Sequence, residues 1–212
     1  MLAGSGRVSI CGDASTLRER LAQLADLRPP LVISWGVCGG LDQRLRPGDL
    51  IVGSEVVSDA ESIRTDEFVT LSIEQRLINA GARVVVERLA GANAPVLTSR
   101  AKAKLRSATG AAAVDMESLS AGRFALAQRA RFAILRAVSD PADQDLPLLA
   151  LKAVDADGRV KNAAVIRDLI RSPGQFIAVL AAARHSKAAF KALDRACRPL
   201  ASVFLALGLE HP

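Results

Sequence analysis

The chain has 212 residues, half of them hydrophobic, with 28 Lys and Arg against 22 Asp and Glu for a net charge of +6. This length suits one domain burying roughly 70% of its unfolded surface, and the charge content is too ordinary for wholesale disorder. Aromatic residues make up 3% with no Tyr at all, and the basic residues are scattered, which argues against nucleic-acid recognition by base stacking or by a basic face. The positive excess suits an anionic small molecule or an anionic membrane surface equally well. Cys11, Cys38 and Cys197 are too few for a disulfide framework, and His185 and His211 lie near none of them, so no metal site is expected. Reduced thiols in a cytoplasmic protein are the simplest reading. The start of the chain lacks the basic and apolar regions of a signal peptide. The charge-free stretch Ser172 to Ala183 is too short for a bilayer, which needs about 20 residues.

In chain order, Val8 to Cys11 is a short apolar run ending at Gly12. Asp13 or Ser15 can cap a helix whose apolar face is Leu17, Leu21, Leu24 and Leu27, ended by Arg28-Pro29-Pro30. Leu31-Val32-Ile33 predicts a buried strand running into a tight glycine turn at Gly36 to Gly40. Pro47-Gly48 is a turn, and Leu50 to Val57 a second strand. A helix over Ile73 to Ala80 stops at Gly81, and Ala82 to Leu89 carries the strand Val84-Val85-Val86. A helix over Ser99 to Thr109 ends at Gly110, and Ala111 to Val114 is a strand of small residues. Ser118 to Ala130 is helical, Phe132 to Val138 a strand, and Ser139 to Asp145 a polar loop. From Val160 on the pattern is helical, interrupted at Pro173-Gly174 and Pro199, and is read as helices covering the sheet.

Strands separated by helices, written as near-continuous apolar runs, predict an α/β fold with a largely parallel sheet covered on both faces. Nothing marks a domain boundary or a repeat, so one domain over 1–212 is expected. Ligands in such folds sit beyond the carboxyl ends of the strands. That rule selects Trp35 to Gly40, Asp115 to Glu117, and Ser139 to Asp143.

Each of these segments has a plain and a chemical reading. The glycines at 36, 39 and 40 make a tight turn, or let a ligand approach backbone amides. Asp115 and Glu117 are acids favoured at a helix N-terminus, or carboxylates that grip a vicinal diol. Asp140 belongs to a solvated acidic loop, or is a proton donor in a dry pocket.

Together the three segments carry a resemblance. Ser34-Trp35-Gly36-Val37-Cys38-Gly39-Gly40-Leu41 with Leu45-Arg46-Pro47-Gly48-Asp49-Leu50-Ile51-Val52, then Val114-Asp115-Met116-Glu117-Ser118, then Leu135-Arg136-Ala137-Val138-Ser139-Asp140-Pro141-Ala142-Asp143 resemble, in order, the signatures of the nucleoside phosphorylase and nucleosidase family. The resemblance spans about Val8 to Leu146. The Asp-Met-Glu-Ser form, the short middle region, and the tail Gly158-Arg159 with Ser172-Pro173-Gly174-Gln175 are similar to the hopanoid-associated phosphorylase group. It implies a three-layer α/β sandwich with a central mixed, mostly parallel sheet. It also implies an enzyme that releases adenine from a 5′-modified adenosine such as adenosylhopane, by phosphorolysis or hydrolysis. A methylthioadenosine or S-adenosylhomocysteine type of nucleosidase, or a nucleoside-binding protein without turnover, stands beside it.

Carried onto this sequence, the resemblance makes Asp140 the general acid or hydrogen-bond partner at purine N7, with Ser139 beside it. Glu117 grips the ribose hydroxyls over Met116. Ser34, Gly36, Val37, Cys38 and Gly39 form the loop for the nucleophile or phosphate. Thr98, Ser99 and Asp115 lie in the base pocket. No cofactor is implied, with inorganic phosphate as the alternative co-substrate to water. The partner is a small purine nucleoside, not nucleic acid, and a homo-oligomer is expected, a dimer first, with peripheral membrane contact for a lipid substrate. Three departures stand out. Ser34 and Val37 occupy places where phosphate-using relatives commonly carry Arg and Ser, leaving any phosphate to backbone amides, to Ser34 or to an arginine the motifs do not place. The opening strand reads as shortened, with Gly4-Ser5-Gly6 in its place. Pro95 to Ser99 offers no aromatic for the base, which leaves Phe68 and Trp35 as candidates.

Overall fold

The computed structural model describes residues 14–24, 26–146 and 176–209. Five helices and six strands follow in the order α1 (Ala14–Ala22), β1 (Leu31–Gly40), β2 (Leu50–Val57), β3 (Ser62–Arg64), α2 (Glu67–Asn79), β4 (Val84–Gly91), α3 (Ser99–Thr109), β5 (Ala113–Asp115), α4 (Ser118–Gln128), β6 (Arg131–Asp140) and α5 (Phe176–Leu209). The Val8 to Cys11 run, the opening glycines, the tail signature and His211 lie outside the described residues.

The sheet is mixed, with strand order β3-β2-β4-β5-β1-β6. β1 runs parallel to β6, β2 to β4, and β4 to β5. β5 lies antiparallel to the end of β1, and β3 antiparallel to β2. β2 also pairs antiparallel with β6, Leu50 opposite Ala137, so five strands close on themselves with β3 outside the ring. Closure covers Leu50 to Val52 of β2 with β6 and leaves Glu55 to Val57 at its far end to pair with β3.

Alternation along β6 sorts the core into two layers. Phe132, Ile134 and Val138 pack with Cys38, Leu89 and the α4 residues Leu119 and Ala125. Ala133, Leu135 and Ala137 face the other way, toward Val69, Ile73 and Leu77 of α2 and toward Leu193 and Leu200 of α5. The period of two in a strand dictates this split. It leaves Arg136 on the α4 side, a charged residue in a row of apolar ones.

Four local expectations change. The glycine segment is no turn: β1 continues through Gly36, Gly39 and Gly40, and the side chains of Arg136 and Asp140 occupy the space that the missing Cβ atoms of Gly36 and Gly39 leave. α2 begins at Glu67 because the Asp66 carboxylate accepts from the Val69 amide and caps it, six residues before the apolar spacing becomes evident. α5 runs through Pro199; the hydrogen bond lost there is outweighed by burial of Leu193, Ala196 and Leu200 on either side. α1 stops at Ala22, so Leu17 and Leu21 are buried while Leu27 is exposed.

Candidate active site

The carboxyl ends of β1 and β6 lie side by side, and the register between them decides what is presented. Pairing is regular from Leu31–Arg131 to Cys38–Val138, and then Gly39 pairs with Asp140. Ser139 is the extra residue of a β-bulge, a device that re-aims the side chains after it. Its hydroxyl lies 3.1 Å from the Cys38 carbonyl and 2.8 Å from Oδ1 of Asp140, with one proton to serve either. A Cβ on Gly39 would stand 3.0 Å from Oδ2 of Asp140, so glycine is what lets the carboxylate lie flat on β1.

Three residues back, a second cluster is built around Arg136, only 3% exposed. Its Nε meets Oδ2 of Asp115 at 2.6 Å and its Nη1 meets Oε2 of Glu117 at 3.3 Å. Nη2 donates to Ser34 Oγ at 2.6 Å and to Ser118 Oγ at 3.2 Å, and Nη1 reaches the Val37 carbonyl at 3.4 Å. A Cβ on Gly36 would overlap Nη1, so this glycine also makes room for a side chain. Asp115 accepts from the Ser118 amide at 3.1 Å and from its hydroxyl, capping α4 with a charge its dipole favours. Burial pushes the Glu117 carboxyl above its ordinary range, against the pull of Arg136. Burial pushes the Cys38 thiol up as well, so it stays an un-ionised packing residue.

The structure therefore brings Ser34, Gly36, Cys38, Gly39, Glu117, Ser139 and Asp140 to one end of the β1–β6 pair. Asp115 belongs to the arginine cluster and has its charge spent there. Val37 contributes its carbonyl, while its side chain packs on the α2 and α5 side with Trp35. Trp35 alternates away from Ser34 and Gly36, and Phe68 is 66% exposed on α2, so neither aromatic lies with the clustered residues. Met116 is half-buried between the two acids. Thr98 and Ser99 stand at the start of α3: Thr98 Oγ1 accepts from the Ala101 amide as the cap of that helix, and the Ser99 amide donates to Asp145 at 2.6 Å.

Two residues with no assigned role in the sequence reading are central here. Arg136 lay inside the third motif, and the signal was an arginine in the middle of an apolar strand. Lys102 of α3 gave no such signal, yet it is fully buried with its Nζ 2.6 Å from Oδ2 of Asp140. Among the described residues no buried side-chain nitrogen or oxygen lacks a partner, and no group of three His, Cys, Asp or Glu could hold a metal. A cavity of about 700 Å³ opens on the outer side of the 140–144 loop between Arg44, Arg100 and Arg106, but none of the clustered residues lines it.

The mixed sheet flanked by helices and the end it presents define a class. Residues 1–171 match the family model described as the phosphorylase superfamily. The chain belongs to that superfamily and is, on that ground, an enzyme. Among solved structures it is similar to S-adenosylhomocysteine nucleosidase from Streptococcus pyogenes in complex with 5-methylthiotubericidin, at 16% identity and TM-score 0.63, covering 92% of this chain and 76% of that one. It is similar also to 5′-methylthioadenosine/S-adenosyl homocysteine nucleosidase from Campylobacter jejuni, at 21% identity and TM-score 0.57 over 74% of this chain and 73% of that one. Futalosine hydrolase of Helicobacter pylori is similar at 17% identity and TM-score 0.56 over 85% and 76%. These likenesses show the fold. No helix among the described residues is long and apolar enough to cross a membrane.

Proposed function

We propose that this enzyme cleaves the N-glycosidic bond of a purine nucleoside, releasing adenine from an adenosine modified at its 5′ position. Adenosylhopane is the particular substrate we favour, from the motif form of the chain. One observation carries the reading: Arg136 with Glu117 at Gly36, and Asp140 at Gly39, stand three residues apart on one strand, about 10 Å at 3.3 Å per residue. That span suits a nucleoside with its ribose at one cluster and its base at the other. Glu117 holds the ribose hydroxyls as the anomeric carbon becomes cationic, and Asp140 supplies the proton to N7 so that the base leaves neutral. Ser139 steadies the Asp140 carboxyl during that transfer.

The same geometry favours water over phosphate as the nucleophile. Arg136 already faces two carboxylates, Asp115 and Glu117, which leaves no surplus positive charge for a phosphate dianion. Val37 brings no side-chain hydroxyl. Glu117, with its carboxyl raised by burial, is suited to take a proton from water. Because the raised group protonates at higher pH than an ordinary Glu, activity falls on the acid side beginning above the usual carboxylate range. The kcat/KM profile against pH checks this, and Glu117→Gln loses that limb together with most activity. We place the working enzyme as a homo-oligomer, a dimer in its simplest form, in the cytoplasm with no cofactor.

The deciding experiment incubates the protein with adenosine, methylthioadenosine and an adenosine bearing a 5′ lipid chain, with and without phosphate, and measures free adenine. Phosphate-independent release, fastest with the lipid substrate, is expected. Release only with phosphate overturns the choice of water, and binding without release favours a nucleoside-binding protein.

A further inference from the structure

Lys102 is unusual in having 0% exposure, since lysine is almost never fully buried unless it is paired. It projects from α3, an element that belongs to none of the three motifs. Its three ammonium protons meet three acceptors: Oδ2 of Asp140 at 2.6 Å, the Pro141 carbonyl at 2.7 Å and the Gln144 carbonyl at 3.0 Å. A single cation thus closes the loop from Asp140 to Gln144 into a collar and fixes one carboxylate oxygen inside it. Ser139 engages the other oxygen at 2.8 Å, and Gly39 lies flat beneath both. The groups facing this carboxylate are Lys102 from α3, Ser139 from β6 and the backbone of β1. The surroundings therefore leave Asp140 one orientation.

We propose that Lys102 is the positioning residue for Asp140, holding its carboxyl group in line with the base. This rests on the reading of Asp140 as the group at N7. A merely structural lysine would give stability and nothing else. A positioning lysine also holds its partner in the reacting orientation, so its loss lowers kcat through Asp140 and not only through the fold. The N-terminal anchorage of α3 serves the same end: Thr98 caps the helix and Asp145 holds the Ser99 amide, so the helix bearing Lys102 and the loop bearing Asp140 move as one piece.

The test compares wild type, Lys102→Met, Asp140→Asn and the double variant for adenine release. In Lys102→Met we expect kcat to fall at least about tenfold with KM changed far less. The double variant is expected to be no slower than Asp140→Asn alone, since Lys102 acts through Asp140. An unchanged kcat in Lys102→Met, or additive losses in the double variant, overturns the proposal. Should Lys102→Met not fold, nitrogen-15 NMR of wild type decides: the Lys102 Nζ signal shifts when a non-cleavable adenosine C-nucleoside binds, and Asp140→Asn removes that shift. An unchanged signal overturns the proposal. Wild type that neither binds nor cleaves adenine nucleosides defeats the reading of the site as well, whereas wild type that cleaves while Lys102→Met keeps its kcat defeats this inference alone.

Discussion

The two buried cations of the site solve the same problem in different ways. Arg136 sits on β6 within the sheet and faces two carboxylates and two hydroxyls, so its cluster leans negative. Lys102 enters from a helix outside the sheet and faces one carboxylate and two carbonyls, so its charge is balanced one for one. The planar guanidinium suits the first setting because its fork reaches several acceptors at once, and the compact ammonium suits the second because it can close a collar around itself. The contrast teaches that the guanidinium gathers several groups into one cluster that leans negative, while the ammonium keeps a single carboxyl group in place.

Removing a cation should separate the two regions most sharply. Arg136→Met leaves Asp115 buried and unpaired, and the expected loss is about 3–5 kcal/mol of stability, read from urea unfolding. A loss below about 1 kcal/mol would mean that Asp115 is less committed to Arg136 than its geometry indicates. Asp140→Asn is expected to fold normally and to lose at least ~10²-fold in kcat, because proton donation to the leaving group goes with it. Retained activity removes Asp140 from that role and leaves the balanced end without a function. Gly36→Ala tests the negative end more gently. Its methyl group displaces Nη1 of Arg136 from Glu117, for about 1–3 kcal/mol of stability and a raised KM, read from urea unfolding and steady-state kinetics.

The smallest effect belongs to a third ion pair, which serves as a control. Asp42 accepts from Arg44 at 2.7 Å and from Arg106 at 2.7 Å, and the Arg44 hydrogen bond draws its carboxyl down to about 2. A lowered carboxylate contributes stability that is present above its unfolded value near 4 and is lost as pH falls toward 2. Asp42→Asn should cost about 1–2 kcal/mol at neutral pH and converge with wild type in acid, with catalytic rates unchanged. A change in kcat would mean that this ion pair, too, is coupled to the site.

Much of the fold was legible because its signals are local. The strand at Leu50 to Val57 and the helix from Ser99 to Thr109 coincide with their sequence patterns, the latter because Gly110 takes the left-handed conformation that ends it. The Ser62–Arg64 strand was not legible, since three residues have no period and pair only because β2 offers an edge. The glycines at 36 and 39 were misread as a turn for a related reason. Glycine signals freedom of the backbone, and only the neighbouring strand shows that its purpose here is room for Arg136 and Asp140. Glu117 and Asp140 were selected from their motifs, and the structure seats one against Arg136 and the other against Lys102. Lys102 escaped because a lysine on a polar helix reads as solvated, and the Asp140 loop that buries it lies 38 residues farther along the chain.

The account stands or falls on where a nucleoside lies, and a crystal structure with a non-cleavable adenosine C-nucleoside shows this directly. We predict N7 of the base within about 3 Å of the Asp140 carboxyl and the ribose hydroxyls on Glu117, beside Arg136. A nucleoside found instead in the 700 Å³ cavity between Arg44, Arg100 and Arg106, with the β1–β6 end empty, would contradict it.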